Sequence, residues 1–436
     1  MPELQRTYRG SASRPEDELD RRGPERAVVI ASLPGGGDDD DRLGELVELL
    51  RTAGAEVVET IVQHRDQPEP RTYLGRGRLE ELKEAVTRLA PDLVAAEGQL
   101  SPGQQRALED RLKTRVVDRT AVILDIFAQH ARSAEGKLQV ELAQLEYSYA
   151  RQEGLWQHLE RLGAGVGTRG PGESQLESDR RLVRARMATL RRRLRDVGRA
   201  RDTQRERRTA SSLLRVALAG YTNAGKSSLM NRLTGAGVSV DDALFETLDP
   251  TTRRVRLDGH DVLLSDTVGF IRHLPHQLVQ AFSATLEEVR DADVILHVAD
   301  ASEPEARRAA RAEAVVDVLE EIGASDIPRV LVLNKIDLVE PDEREALANR
   351  HPESVRLSAA TGEGLDDLAA ALAEAARGRL ERIDVTIPYP RTALVATVYA
   401  EGREVTQEAT DEGTRVRALL PPAAAARLRA ALDGGG

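Results

Sequence analysis

The sequence predicts an α/β protein built from several units, and three observations carry that prediction. Short apolar runs alternate with segments of helical spacing in residues 26–118 and again from Leu213 to about Leu380, the pattern of parallel sheets covered by helices. In the second stretch a glycine-rich loop joins an apolar run to a helix start. Between the two stretches lie long helical stripes, interrupted at Gly163–Gly172 by five glycines and a proline in ten residues.

The elements follow in order. Residues 1–24 are polar, carry Pro15 and Pro24, and read as a disordered leader with no apolar core for secretion. Ala27–Ala31 reads as a buried strand, and Leu43, Leu46, Leu49 and Leu50 recur at helical spacing. Strands at 55–62, 92–96 and 115–117, with helices from Leu79 and over 103–112, complete a small α/β domain placed at 25–132. Leu138, Leu142, Leu145 and Tyr149, then Val183, Met187, Leu190 and Leu194, mark an antiparallel helical hairpin over 133–208 with a flexible glycine-rich tip. The stripes are expected to form its seam. A second α/β domain is placed at 212–380. A small α+β domain is placed at 382–436, with Gly434–Gly436 frayed.

Composition narrows the function. The chain has 436 residues, 40% hydrophobic, and no apolar run near the roughly 20 residues of a membrane span. It contains no cysteine, which excludes disulfides and thiolate metal sites and agrees with a reducing cytosol. None of its eight histidines are spaced i, i+4. The net charge is −11, yet thirteen arginines face five acids between Glu177 and Arg208. Such a segment is a candidate phosphate contact, with a solvated helix face as the plainer alternative.

The chemistry sits in four motifs. After the strand Val216–Ala219 comes Gly220-Tyr221-Thr222-Asn223-Ala224-Gly225-Lys226-Ser227-Ser228, a P-loop in its strand–loop–helix context. Its backbone N–H groups and helix N-terminus would surround the β-phosphate, Lys226 would reach the β and γ phosphates, and Ser227 would ligate Mg²⁺. Forty residues beyond that lysine, Asp266-Thr267-Val268-Gly269 ends another apolar strand. Asp266 would hold the metal through a water, and the Gly269 N–H would sense the γ-phosphate. Asn334-Lys335-Ile336-Asp337 follows a third apolar strand. The Asp337 carboxylate matches the N1–H and N2 donors of guanine, while adenine would leave it unpaired at a cost of about 1–3 kcal/mol. Asn334 would steady the loops and Lys335 would lie over the base. Ser358-Ala359-Ala360 would complete the base pocket.

Between the P-loop and Asp266, the segment 244–252 is expected to be mobile and to bring a threonine to Mg²⁺; Thr247, Thr251 and Thr252 are all possible by spacing. Phe245, Glu246, Thr247, Leu248 and Asp249 are its candidate nucleotide contacts. Phe270 stands where many GTPases place a water-orienting glutamine, so hydrolysis is expected to depend on groups from a partner. Asn223 is a candidate K⁺ ligand beside the phosphates. These motifs together predict a Mg²⁺-dependent GTPase, with Lys226, Gly269 and one of the three threonines as its catalytic groups.

Beyond these motifs, the chain from about Arg26 to Ile387 resembles the HflX family of ribosome-associated GTPases. The resemblance rests on Thr72–Arg78, on Asp118-Arg119-Thr120 with Ile123–Phe127, and on Gly167–Glu177 with Ser174 where threonine is usual. It rests also on Leu248–Thr251 and Asp266–Ile271. The resemblance favours Thr247 as the magnesium threonine. It implies binding to the large ribosomal subunit and its RNA, GTP hydrolysis stimulated there, and ribosome splitting or rescue. A cytoplasmic protein, monomeric in solution, is expected. ATP binding by the N-terminal domain is associated with the family, but residues 26–118 hold no P-loop and no ATP residues are assigned. A ribosome-assembly GTPase and a GTP-regulated scaffold for a protein partner are the alternatives.

Overall fold

The computed structural model describes residues 23–35, 39–162, 171–209, 213–235, 244–245, 247–257, 260–272, 283–378, 380–420 and 422–433. The leader through residue 22, the glycine-rich tip at 163–170, Glu246 and the last three glycines lie outside the described residues.

The first unit is a parallel sheet of β1 (Glu25–Leu33), β2 (Ala55–His64), β3 (Leu93–Ala96) and β4 (Arg115–Asp118), in the order β2-β1-β3-β4. Helices α1 (Asp39–Thr52), α2 (Arg76–Leu89), α3 (Pro102–Leu112) and α4 (Arg119–His130) cover it. Ala27 through Ala31 are fully buried, because a central parallel strand has helices on both faces; hence the unbroken apolar run. Val28 and Ile30 pack with Leu79 and Leu82 on one face, and Ala27 and Val29 with Leu46, Leu49, Ile123 and Phe127 on the other. Ser101 starts α3 with a reciprocal cap to Gln104.

Tyr73 closes the carboxyl end of this sheet. Its hydroxyl accepts the backbone N–H groups of Ser32 and Gly98, each at 3.2 Å, at the ends of the adjacent strands β1 and β3. The strand order reverses between those two strands, where open α/β sheets receive ligands. A Cβ on Gly98 would lie 3.1 Å from the phenol oxygen, so glycine permits the close approach.

Helices α5 (Ala134–Leu162) and α6 (Pro171–Thr209) run antiparallel, with Arg186 paired to Glu141, Arg191 to Glu146, and Arg184 donating to the Tyr149 hydroxyl. Pro171 and Gly172, read from the sequence as part of the break, open α6 instead; proline is tolerated in a first helical turn, where its missing N–H has no partner to lose. The buried face of α5 is also not the expected stripe. Val140, Ala143 and Tyr147 are buried against the first unit, while Leu138, Leu142, Leu145 and Tyr149 are half-buried. A two-helix seam with no third layer stays partly open to water. Asp118, fully buried, ties α5 to the sheet: it accepts from the N–H groups of Leu100 and Ala121, the Tyr147 hydroxyl, and the Arg151 guanidinium.

The second sheet contains β5 (Leu214–Gly220), β6 (Thr251–Leu257), β7 (His260–Asp266), β8 (Val294–Asp300), β9 (Arg329–Asn334) and β10 (Val355–Arg356), ordered β10-β9-β8-β5-β7-β6. Only the edge strand β6 is antiparallel. Helices α7 (Lys226–Thr234), α8 (Ser283–Arg290), α9 (Glu305–Glu321), α10 (Pro341–Arg350) and α11 (Leu365–Gly378) belong to it. The last unit is an antiparallel sheet of β11 (Glu381–Ile387), β13 (Gly413–Leu420) and β12 (Arg403–Thr410), with helices α12 (Ala393–Glu401) and α13 (Pro422–Asp433) and its own core. One apolar cluster runs continuously from Ala27, Phe127 and Tyr147 into Ala217, Tyr221, Phe245 and Phe270. That shared core sets the first unit against the loops at the carboxyl end of the second sheet.

Candidate nucleotide site

The P-loop follows β5 because the apolar strand buries on both faces and then must turn sharply. Asn223 and Gly225 take left-handed backbone conformations, φ 60° and 88°. A Cβ at Gly225 would lie 2.3 Å from the Asn334 amide nitrogen, so this position needs glycine for space as well as for conformation. Lys226 opens α7, is buried, and donates to the Tyr221 carbonyl at 2.9 Å. Burial pulls its ammonium down to about 8, opposed by the Asp266 carboxylate. Ser228 is half-buried within the first turn of the helix.

Ser227 Oγ and Thr247 Oγ1 each donate to Asp266 Oδ2 at 2.8 Å and stand 3.0 Å apart. The other carboxylate oxygen, Oδ1, is buried with no hydrogen-bond partner. Burial raises the Asp266 pKa, with Lys226 the largest opposing influence. Of the three threonines left open by spacing, only Thr247 joins this group: Thr252 bonds Ser265 at 2.8 Å, and Thr251 is exposed at the start of β6. Gly269 lies against the P-loop, where a Cβ would come within 3.1 Å of Lys226 Nζ. The loop after β7 is bonded to the P-loop through Thr222 N–H to the Phe270 carbonyl, 2.8 Å, and Phe270 N–H to the Gly220 carbonyl, 3.1 Å. Thr267 spends its hydroxyl on the Leu218 carbonyl and Val268 is buried, so their side chains support the loop from behind.

On the base side, the Asn334 amide bridges two loops: Nδ2 donates to the Ala224 carbonyl at 2.9 Å, and Oδ1 accepts from the Ala359 N–H at 3.0 Å. Lys335, at φ 62°, pairs with Asp300 at 2.8 Å. Asp337 is half-buried, Ile336 and Ser358 are buried, and Ala360 is exposed at the rim. Ser358 Oγ accepts the Thr361 N–H and so shapes this last loop.

Other predicted contacts turn elsewhere. The Phe245 ring meets Phe127 edge-on at 4.6 Å between centroids, and its carbonyl accepts from His130 Nδ1 at 2.7 Å. Leu248 is buried in the shared core. Asp249 accepts from the N–H groups of Arg132 and Ser133 and from the Ser133 hydroxyl. These three side chains therefore serve the α4–α5 junction and not the nucleotide, because the first unit lies directly on this segment. The Phe270 ring is fully buried in the same core and orients no water.

Tyr221 also points away from the pocket. Its hydroxyl donates to Glu45 at 2.6 Å and accepts the Arg272 N–H at 2.8 Å, while Arg311 covers its ring. Glu45 pairs with Arg119, which pairs with Glu97; Asp41 pairs with Arg272, Arg307 and Arg311. Sequence reasoning missed this buried ionic seam. Its only trace was Arg119 within Asp118-Arg119-Thr120, whose partners lie far away in the chain.

Among the described residues no cluster of three or more His, Asp or Glu could hold a metal alone, and no helix is long and apolar enough to cross a membrane.

Four family models match the chain in succession: GTP-binding GTPase N-terminal at residues 40–128, GTP-binding GTPase middle region at 130–208, 50S ribosome-binding GTPase at 215–335, and HflX C-terminal domain at 345–432. GTPase HflX of Lacrimispora saccharolytica is 44% identical over 402 residues, covering 91% of this chain and 94% of the relative. GTPase HflX of Escherichia coli K12 is 46% identical over 367 residues, covering 84% and 86%. A crystal structure described as SsGBP and GDP complex is 25% identical, covers 81% of this chain and 98% of its own, and superposes with a TM-score of 0.46. With a P-loop, a D-x-x-G strand end and an N-K-x-D strand end gathered at the carboxyl end of one sheet, and with relatives matched over nearly their full length, the chain belongs to the HflX family of GTPases.

Proposed function

We propose that the chain is a Mg²⁺-dependent GTP switch of the large ribosomal subunit, used in separating or rescuing ribosomes in the cytoplasm. The observation that carries the nucleotide half is the convergence of Ser227, Thr247 and Asp266 beside Lys226, with one Asp266 oxygen left unpaired in a buried setting. An unpaired buried carboxylate oxygen is costly unless something charged or protic meets it. One carboxylate and two hydroxyls are hard oxygen groups too few to cage a metal alone, which fits Mg²⁺ completed by phosphate oxygens and water. Ser227 and Thr247 would hold it directly and Asp266 through a water. When bound, the metal neutralises charge on the β and γ phosphates.

This chain's own groups do the rest. The N–H groups of Asn223 and of residues 225–228, at the N-terminus of α7, cradle the β-phosphate, and Lys226 bridges β and γ oxygens. The Gly269 N–H faces the γ-phosphate, and Asp337 accepts from N1–H and N2 of guanine. With the Phe270 ring in the core, no side chain at that position aligns the attacking water, so fast turnover awaits groups supplied by the ribosome. K⁺ at Asn223 is a second-order part of the proposal; equal rates in K⁺ and Na⁺ would remove it.

The ribosomal half is supported by the 50S ribosome-binding GTPase model and by the arginine-rich α6, whose Arg181, Arg192, Arg193 and Arg195 side chains are solvent-facing. The test is sedimentation with mature large subunits. Strong pelleting with a non-hydrolysable GTP analogue, weak pelleting with GDP, and a GTPase rate raised by the subunits are expected. Equal, weak pelleting in both states would sink the switch.

A further inference from the structure

We propose that Asp249 is the positioning residue for Thr247, so that the metal-facing threonine is held in place by the first turn of the arginine-rich hairpin. The inference rests on the reading that Thr247 faces the metal, and goes beyond it by naming what holds Thr247 there.

Ser133 caps α5: its Oγ accepts the Gly136 N–H at 2.8 Å. The same hydroxyl donates to Asp249 Oδ1, while Asp249 Oδ2 accepts the N–H groups of Arg132, at 2.9 Å, and Ser133, at 2.6 Å. Both carboxylate oxygens are thus taken by the hairpin's start, and the negative charge lies at a helix N-terminus, where the dipole favours it. Gly136 completes the fit: a Cβ there would stand 2.5 Å from Asp249 Oδ1. Any side chain at that position of the first turn would push the carboxylate away.

Thr247 is bracketed. Two residues after it, Asp249 is bonded to the α4–α5 junction; two residues before it, the Phe245 ring meets Phe127 edge-on and the Phe245 carbonyl accepts the His130 N–H. Five consecutive residues span at most about 17 Å and here are pinned at both ends, so the position of Thr247 Oγ1 beside Ser227 and Asp266 depends on where the hairpin begins. Coupling is reciprocal. A γ-phosphate and metal that fix Thr247 also fix the capped start of α5, and a displacement of the hairpin by whatever its far end meets withdraws Thr247 from the metal.

The test uses the full chain with Asp249→Asn, Gly136→Ala and Thr247→Ala, and reads dissociation of a fluorescent non-hydrolysable GTP analogue, and of the matching GDP analogue, against Mg²⁺ concentration. Asp249→Asn removes the charge beside the helix N-terminus and leaves one accepting oxygen, so either the two backbone N–H groups or the Ser133 hydroxyl loses its acceptor; Gly136→Ala disturbs the same contact from the other side without changing a residue of segment 244–252. Both are expected to raise the Mg²⁺ needed for half-maximal retention of the GTP analogue by about tenfold, the size of losing a hydrogen bond to a charged group. GDP dissociation should change less than about twofold, because GDP does not recruit Thr247. The double variant should be no worse than the worse single one. Wild-type Mg²⁺ midpoints in both variants, alongside a shifted Thr247→Ala, would overturn the inference and leave the metal role of Thr247 standing. An unshifted Thr247→Ala would overturn both. Equal weakening of GDP and GTP analogues in Asp249→Asn would also overturn it, since Asp249 would then support the pocket as a whole.

Discussion

The carboxyl ends of β1 and β3 in the four-stranded sheet are closed by Tyr73, whereas the corresponding ends of β5 and β8 in the six-stranded sheet face a glycine-rich loop. Both sheets are of the same open α/β kind, and each has a crevice where the strand order reverses. In the first, two free backbone N–H groups are satisfied by the chain's own phenol. In the second, a glycine-rich turn takes the place of the phenol and sets a buried lysine at the start of a helix. The difference shows that architecture makes a crevice, and a few residues after the strand decide whether it is a pocket or a plug.

The largest expected effect breaks the second half of that comparison. Lys226→Ala should weaken GTP retention and lower hydrolysis by about 10²–10³-fold, the range seen when one preorganised charge-stabilising group is lost. Filter binding and phosphate release measure it; near-normal hydrolysis would show that the chemistry lies outside this loop. Next, Asp337→Asn should reduce the preference for GTP over ATP by about 10–100-fold, since the guanine donors then meet an amide in place of a carboxylate. Competition between labelled GTP and unlabelled ATP reads the ratio directly.

Tyr73→Phe sharpens the first half. Removing the hydroxyl strands the Ser32 and Gly98 N–H groups and should cost about 1–3 kcal/mol of stability in denaturant titrations, with guanine-nucleotide affinity unchanged. If ATP slowed hydrogen exchange at Ser32 and Gly98 in the intact chain, the crevice would be a pocket after all and the contrast would fall.

The smallest effect concerns pH. Burial holds Lys226 at about 8 in the empty protein. Its folded pKa is depressed from 10.5, so above about 8 the free protein carries a neutral amine. Phosphate oxygens favour the ammonium, so binding must then take up a proton, and affinity falls as pH rises through this window by about tenfold per unit. Calorimetry at pH 9 in two buffers of different ionisation enthalpy should find close to one proton taken up per GTP, and none in Lys226→Ala.

Much of the site could be read from the chain because its signals are local. Gly220, Gly225, Lys226, Asp266, Asn334 and Asp337 sit at or just beyond strand ends whose apolar runs announce them. The strands of the first sheet, and β5, β7, β9 and β10 of the second, were readable for the same reason, whereas β6 and β8 were not placed. The start of α6 at Pro171 was not, since glycine and proline content marks a break without saying which residue resumes the helix. The buried face of α5 was not either: a helix that packs on two neighbours has two apolar stripes, and the more regular one was the half-buried seam.

The sequence by itself determined the α/β character of both sheets, the helical hairpin and the nucleotide motifs, because strand periodicity, loop glycines and motif spacing act over a few residues. The tertiary structure alone decided what the remaining polar groups do. It brought Thr247 and not Thr251 or Thr252 beside Ser227 and Asp266, turned Asp249 onto Ser133, Tyr221 onto Glu45, and Phe270 into the core. Those choices follow from where the first unit docks on the second. A buried polar group takes the partner that packing brings within hydrogen-bond reach, and Asp249 and Ser133 are 116 positions apart in the chain.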